Sequence, residues 1–405
     1  MMSRPLSQAE IRVWISSNIS PHPAEQNVVQ GYCLRGAGDF ETLRQNTAAL
    51  LVNHPTLRTA YTLDSDGDLA ATVLDPPGVP LFLVLDAEAG GEEQAAVLVA
   101  TQVAEEFDLE KPPLARVLAI RITDDRHWVV IIAHHIAVDG DSFAPLWADL
   151  LTHPGPPAPG YPMRKEKSLR YRAPDEYVAH LDFWRARAKE LDETLRAMTA
   201  MTAMTPSDGI EDVTSFDVSA EDWGAIIELA RSEAVTPFIV VVAALARALC
   251  RHLGLDRVAI GIAVSTRPRG VDQTRVVGNY LNIVPVVFCP SGVGEVGDVL
   301  FDALDHAVVP LEEILRLAAK APDLRSQLVS VTATSFAAAG QLDTASGPAE
   351  PVLVVQGSSK TALSLYLEIH RRYATVYVAG GFGLRLLPTC QVAKEIKGQM
   401  AALTR

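Results

Sequence analysis

Residues 128–142 constrain this chain more than any other stretch. Trp128 to Ile132 is a run of β-branched and aromatic residues, the pattern of a buried strand, and it leads to two adjacent histidines, His134 and His135. Asp139 and Gly140 follow, and Phe143 to Leu151 then carries the apolar spacing of a helix. The histidines therefore sit where a rigid strand gives way to a loop. On extended backbone adjacent side chains point to opposite faces, so one imidazole can face a cleft while the other packs inward. A neutral imidazole, with an ordinary pKa of about 6.5, can accept a proton from a hydroxyl or amine near neutral pH. Asp139 either orients that imidazole or serves as a structural ion-pair partner. A glycine at 140 permits a turn with positive φ and lets another chain approach closely. The plainer alternative is two buried, hydrogen-bonded histidines with no chemistry. A metal site is not expected, because no further His, Cys or carboxylate falls at a spacing such as HExxH or CxxC.

His134, His135, Asp139 and Gly140 match the HHxxxDG motif, and the chain resembles the condensation-domain superfamily. That superfamily includes the condensation domains of nonribosomal peptide synthetases, polyketide-associated acyltransferases and chloramphenicol acetyltransferase. Further matches follow in order along the chain. Leu6 to Trp14 is similar to the opening L-S-x-A-Q-x-R-x-W, with Glu10 where the family has glutamine. His54 to Thr59 resembles H-P-x-L-R-T, a helix end stopped by a proline, to which no chemistry is assigned. Phe107-Asp108-Leu109, Pro113-Leu114 and Arg116 match F-D-L-x-x-x-P-L-x-R. Thr236-Pro237 opens a very apolar helix to Leu253, with Thr236 read as its cap, and the strand Val258 to Val264 follows. Val277 to Val286 matches V-G-x-[FY]-x-N-x-[LV]-P-[LV].

The resemblance implies an α/β fold of two layers, built as two chloramphenicol-acetyltransferase-like halves in a V with the active site in the tunnel between them. Residues 1–160 would be the half carrying HHxxxDG, 161–206 a crossing helix and linker, and 207–405 the second half. The proline-rich stretch Pro154 to Pro162 marks the end of the first half. Ala197 to Thr205, with A-M-T three times, reads as the linker. In the family the arginine ending the strand at 258–264 pairs with the motif aspartate. Arg267 is thus the expected partner of Asp139 and Arg269 the fallback, the alternative being that both are solvent-exposed beside Pro268. The strand holding Asn282 would line the tunnel, where its amide either serves an oxyanion or pantetheine arm or satisfies the sheet edge. The late Gly381-Phe382-Gly383 departs from the family pattern and is read as a turn.

Composition excludes several classes. With 48% hydrophobic and 21% charged residues the chain is globular rather than disordered. A formal net charge of −14 argues against nucleic acid and anionic membranes, and docking of an acidic carrier protein would need a local basic patch. The longest apolar run, Phe238 to Ala246, is too short to span a bilayer. Cys33, Cys250, Cys289 and Cys390 are dispersed and read as reduced and buried, as in a cytoplasmic protein.

The resemblance then implies acyl transfer from a carrier-protein or CoA thioester to an amine or hydroxyl. His135 would be the general base or orienting group, His134 would pack inward, Asp139 and Arg267 would hold the loop, and Gly140 would let the donor pass. No bound cofactor is expected; the phosphopantetheine- or CoA-linked acyl group is substrate. A carrier protein, a small-molecule acceptor and a monomeric state are the expected partners and assembly. No adenylation segment or D-S-L carrier motif is visible, so the donor is expected in trans, as for a free-standing tailoring or offloading enzyme of secondary metabolism. The rivals are a catalytically silent docking module of the same fold, disfavoured by the intact motif, and a trimeric small-molecule acetyltransferase, disfavoured by length.

Overall fold

The computed structural model describes residues 2–4, 6–20, 22–36, 39–64, 67–76, 81–151, 173–201, 212–267, 275–318, 331–337, 342–344, 347–352, 363–370, 372–380 and 389–404. They fall into two compact units. The first comprises Met1–Glu166, Arg267–Tyr280 and Ala339–Gly357; the second comprises Lys167–Thr266, Leu281–Ala338 and Ser358–Arg405. Two segments from beyond residue 207 therefore belong with the motif-bearing unit. The boundary stretch Pro154 to Pro162 and the turn at Gly381 to Gly383 lie outside the described residues.

In the first unit three short strands, β1 (Met2–Arg4), β3 (Thr59–Leu63) and β4 (Leu69–Val73), form one sheet. A six-stranded sheet holds β2 (Asn27–Arg35), β5 (Phe82–Asp86), β6 (Ala115–Thr123), β7 (Arg126–His134), β12 (Leu342–Thr344) and β13 (Gly347–Val352), in the order β12-β13-β2-β7-β6-β5. β7 is central and buried from His127 to His134. Its alternate residues serve two cores. Val129, Ile131 and Ala133 pack with helices α2 (Phe40–Asn53) and α4 (Phe143–Leu151) through Leu50, Leu146 and Trp147. Trp128, Val130 and Ile132 pack with α3 (Gly91–Ala104) through Val99 and Val103. A strand covered on both faces needs a continuous apolar run, which is what the sequence supplies. Burying each such side chain stabilises by about 1.5–3 kcal/mol, so the strand end that carries the histidines is rigid. The segment Ala339–Gly357 of the first unit contains β12 and β13, and β13 adds to the edge of β2. Its alternation is too short and proline-broken to read as a strand.

Helix α1 (Gln8–Ile19) starts with a capping box in which Ser7 and Glu10 bond each other's backbone N–H. Glu10 is fully buried, accepts from the Tyr61 hydroxyl at 2.8 Å and pairs with Arg4. A buried carboxylate in place of the family's neutral glutamine needs such a cation, and Arg4 on β1 provides it.

The second unit is a six-stranded sheet of β8 (Asp212–Val218), β9 (Val258–Ser265), β10 (Leu281–Phe288), β11 (Val331–Ala337), β14 (Leu363–Ile369) and β15 (Ala374–Gly380), in the order β10-β9-β11-β14-β15-β8. Its helices are α5 (Pro174–Met201), α6 (Ala220–Ser232), α7 (Pro237–Leu253), α8 (Val293–Asp305), α9 (Leu311–Ala318) and α10 (Thr389–Leu403). α7 is the core helix, and Thr236 stands at its N-cap position without a side-chain capping bond; Pro237 at the first turn fixes the start. The expected linker is partly corrected: Ala197 to Met201 continue α5, because Ala and Met favour helix and because Leu195 and Met198 are buried in the core. The cysteine reading is also corrected. Cys33 and Cys250 are buried, but Cys289 and Cys390 are exposed at element ends. Among the described residues no single helix is long and apolar enough to cross a membrane.

Candidate active site

The site is built where β7 ends. His134 N–H donates to Leu114 O at 2.9 Å and His135 N–H to Gln26 O at 2.8 Å, so both neighbouring chain segments hold the junction. The two imidazoles have opposite surroundings. His134 is buried; its Nδ1 accepts the Ile136 N–H at 3.2 Å, which leaves the hydrogen on Nε2, 3.3 Å from Ser17 Oγ. Ser17 Oγ in turn donates to Val13 O. His134 is thus a neutral ring that ties β7 to α1. His135 is half-buried, and its Nδ1 lies 2.7 Å from Val138 O. A carbonyl only accepts, so Nδ1 carries the hydrogen and the neutral ring keeps its basic lone pair on Nε2.

Asp139 is 4% exposed and faces Arg267 in a two-pronged pair, Oδ2 to NH1 at 2.6 Å and Oδ1 to NH2 at 2.6 Å. Its oxygens also accept Ser142 N–H at 3.1 Å and Tyr280 N–H at 3.0 Å. Arg267 thereby becomes the partner of Asp139 rather than a solvated residue; Arg269 lies outside the described residues. The same guanidinium lies over the Tyr280 ring, 4.9 Å from its centroid, and reaches Asp141 at 3.1 Å. Burial pushes the Tyr280 hydroxyl well above the ordinary phenol range, so it stays protonated.

Residues 276–280 close onto this loop. Asn279 Nδ2 donates to His135 O at 2.8 Å, Gly278 N–H donates to Ser142 Oγ at 3.1 Å, and Arg267 NH2 donates to Val276 O at 3.3 Å. Ser142 Oγ also lies 2.8 Å from Asp139 Oδ1. Ser142, Asn279 and Tyr280 were missed by sequence reasoning. Ser142 was findable, since Asp-x-x-Ser is the spacing of a capping box, and Asp139 caps the turn Gly140–Ser142 with it. Asn279 falls at a position the V-G-x-[FY] pattern leaves open, so no signal marked it.

Two expectations are corrected. Asn282 does not present its amide: Nδ2 donates to Ala307 O at 2.8 Å and Val309 O at 2.9 Å, and Oδ1 accepts Leu311 N–H at 3.2 Å. It clamps the start of α9 within the second unit. Replacing it with alanine leaves those buried groups unpaired, and a loss of about 1–3 kcal/mol is expected in urea unfolding. Gly140 does not use a positive φ. It is exposed, and a Cβ added there would meet nothing within 4 Å. The glycine leaves clear space beside the loop instead of making a special turn. Among the described residues no group of three or more His, Cys, Asp or Glu is placed to hold a metal ion.

The site is thus a buried carboxylate–guanidinium pair on the loop that follows a strand-end histidine, beside an α/β sheet. The Condensation domain family model matches residues 3–344, and the chain belongs to that family, whose members form amide bonds. It is 25% identical over 333 residues to one of the plipastatin synthase proteins of Bacillus subtilis (strain 168), covering 77% of this chain and 12% of that protein. The chain thus spans about an eighth of that relative's length. Among solved structures, the first condensation domain of the calcium-dependent antibiotic synthetase, in complex with a substrate analogue, is similar at a TM-score of 0.78 and 18% identity, covering 100% of this chain and 96% of that one. The X-domain in its complex with OxyB from teicoplanin biosynthesis is similar at a TM-score of 0.78 and 17% identity, covering 99% and 92%. The fold is that of condensation domains, the chloramphenicol-acetyltransferase-like fold.

Proposed function

We propose that this protein moves an acyl group from a carrier-protein or CoA thioester to an amine or hydroxyl acceptor, with His135 as general base or orienting group. The single observation that carries this reading is the 2.7 Å contact of His135 Nδ1 with Val138 O. A carbonyl only accepts, so Nδ1 carries the hydrogen of a neutral ring and Nε2 is its basic nitrogen, on a half-buried side chain of a braced loop. Nε2 takes the proton of the acceptor as its nitrogen or oxygen attacks the thioester carbonyl. A tetrahedral intermediate forms, the C–S bond breaks, and the proton passes to the leaving thiolate. No covalent enzyme intermediate is required. Asp139 and Arg267 act at a distance by fixing the loop.

Gly140 bears on the donor. Its cleared space accepts a Cβ without a clash, so Gly140→Ala is expected to leave thermal stability within about 0.5 kcal/mol of wild type. If the thioester arm passes there, the same change raises KM for the donor several-fold; an unchanged KM places the donor elsewhere.

The test is a mass-spectrometric turnover assay with acyl-CoA and acyl-carrier-protein donors against a panel of amines and alcohols. Acylated product supports the reading, and the donor preference separates the carrier-dependent form from the CoA-dependent one. Carrier binding with no product from any acceptor would instead favour a docking module of the same fold.

A further inference from the structure

Of the loop residues from His134 to Ser142, only His135, Gly140 and Asp141 reach solvent; the others are buried. The open side of the loop is therefore an imidazole, a bare Cα with clear space above it, and a carboxylate. Asp141 is the part the proposed reaction does not use. Its side chain is 66% exposed, yet Oδ2 is held 3.1 Å from Arg267 NH1, itself 4% exposed. That contact fixes where the carboxylate stands. It does not neutralise it, because the charge of Arg267 is already matched by Asp139 through two bonds of 2.6 Å. Arg267, Asp139 and Asp141 together carry one surplus negative charge, and it lies on the exposed member. The second oxygen of Asp141 has no hydrogen-bond partner among the described residues.

We infer that Asp141 is a specificity-determining residue that favours acceptors carrying a positive charge, such as an ammonium or guanidinium group beside the reacting nucleophile. This rests on the acyl-transfer reading above and names the acceptor chemistry of the same site. Two features set the expected size. An exposed ion pair discriminates by a small factor, and like charge repels by a similar one, so cation and anion differ by about three- to tenfold. The discrimination acts on acceptor binding, and salt screens it.

The experiment measures binding without turnover. Three probes with one skeleton and charges of +1, 0 and −1 (phenethylamine, 2-phenylethanol and phenylacetate) are titrated into the full chain by NMR. The variants are Asp141→Asn, Asp141→Glu and Asp141→Lys, with Glu93→Gln as a control carboxylate exposed on α3 of the same unit. Wild type and Asp141→Glu are expected to prefer phenethylamine over phenylacetate by about three- to tenfold. Asp141→Asn brings the three within about twofold, Asp141→Lys reverses the order, and Glu93→Gln changes nothing. Raising ionic strength compresses the wild-type preference. Equal affinities in wild type, absence of phenethylamine binding, or a preference that survives in Asp141→Asn overturns the inference. Acyl transfer to acceptors of every charge alike overturns it too, while leaving the proposed function standing. Charge-selective binding with no acyl transfer does the reverse.

Discussion

Replacing Arg267 with methionine is expected to cost about 3–5 kcal/mol of unfolding free energy, the largest stability loss of any substitution considered. The reason is what it leaves behind. Asp139 remains buried, and the Ser142 and Tyr280 N–H groups still point at it, but no charge opposes it. Arg267 also donates to Val276 O, so residues 276–280 lose an anchor along with the loop. Adding Asp139→Asn to Arg267→Met removes the orphaned charge and is expected to recover a substantial part of the loss, because a buried pair costs most when only one member is taken away. Urea unfolding of both variants checks this. A loss below about 1 kcal/mol for Arg267→Met would mean that the pair behaves like a solvated surface bridge, in conflict with its burial.

His135→Ala is expected to have the opposite profile, with acyl transfer lowered by about 10²- to 10⁴-fold and stability little changed. The side chain is half-buried, and the bond of its Nδ1 to Val138 O is replaceable by water. The backbone bonds of His135 to Gln26 and Asn279 do not depend on the imidazole and survive the substitution. The same change at His134 takes away a buried ring that joins Ile136 to Ser17, so it is expected to show first as lost stability. On the proposed function the two adjacent histidines would separate chemistry from scaffolding, and comparing kcat with unfolding free energy for each distinguishes them.

Much of this was legible in the sequence because its signals are local or paired by motif. The buried run of β7, the run of α7 and the proline-stopped end of α2 follow from periodicity and turn residues. Arg267 and Asp139 are 128 positions apart, and only the family pattern joined them. The rest was not legible for physical reasons. Asn282 was left with two roles, substrate-facing or structural, because sequence shows an amide but not that backbone groups at 307, 309 and 311 use it up. The positive φ expected at Gly140 was wrong because a glycine can signal a positive φ or merely the absence of a Cβ, and residue identity does not separate the two. Strands β12 and β13 are not legible because β12 rests on β13, and the partner of β13, β2, lies some three hundred residues away. Asn279 escaped because its role, holding the His135 carbonyl, exists only once the two segments meet.

The most direct test of the central claim is single-turnover transfer from an acyl thioester, compared between wild type and His135→Ala at matched unfolding free energy. The account predicts product from wild type and a rate at least about 10²-fold lower in the variant. Equal rates in the two proteins would contradict it, since Nε2 of His135 would then have no part in moving the acceptor proton.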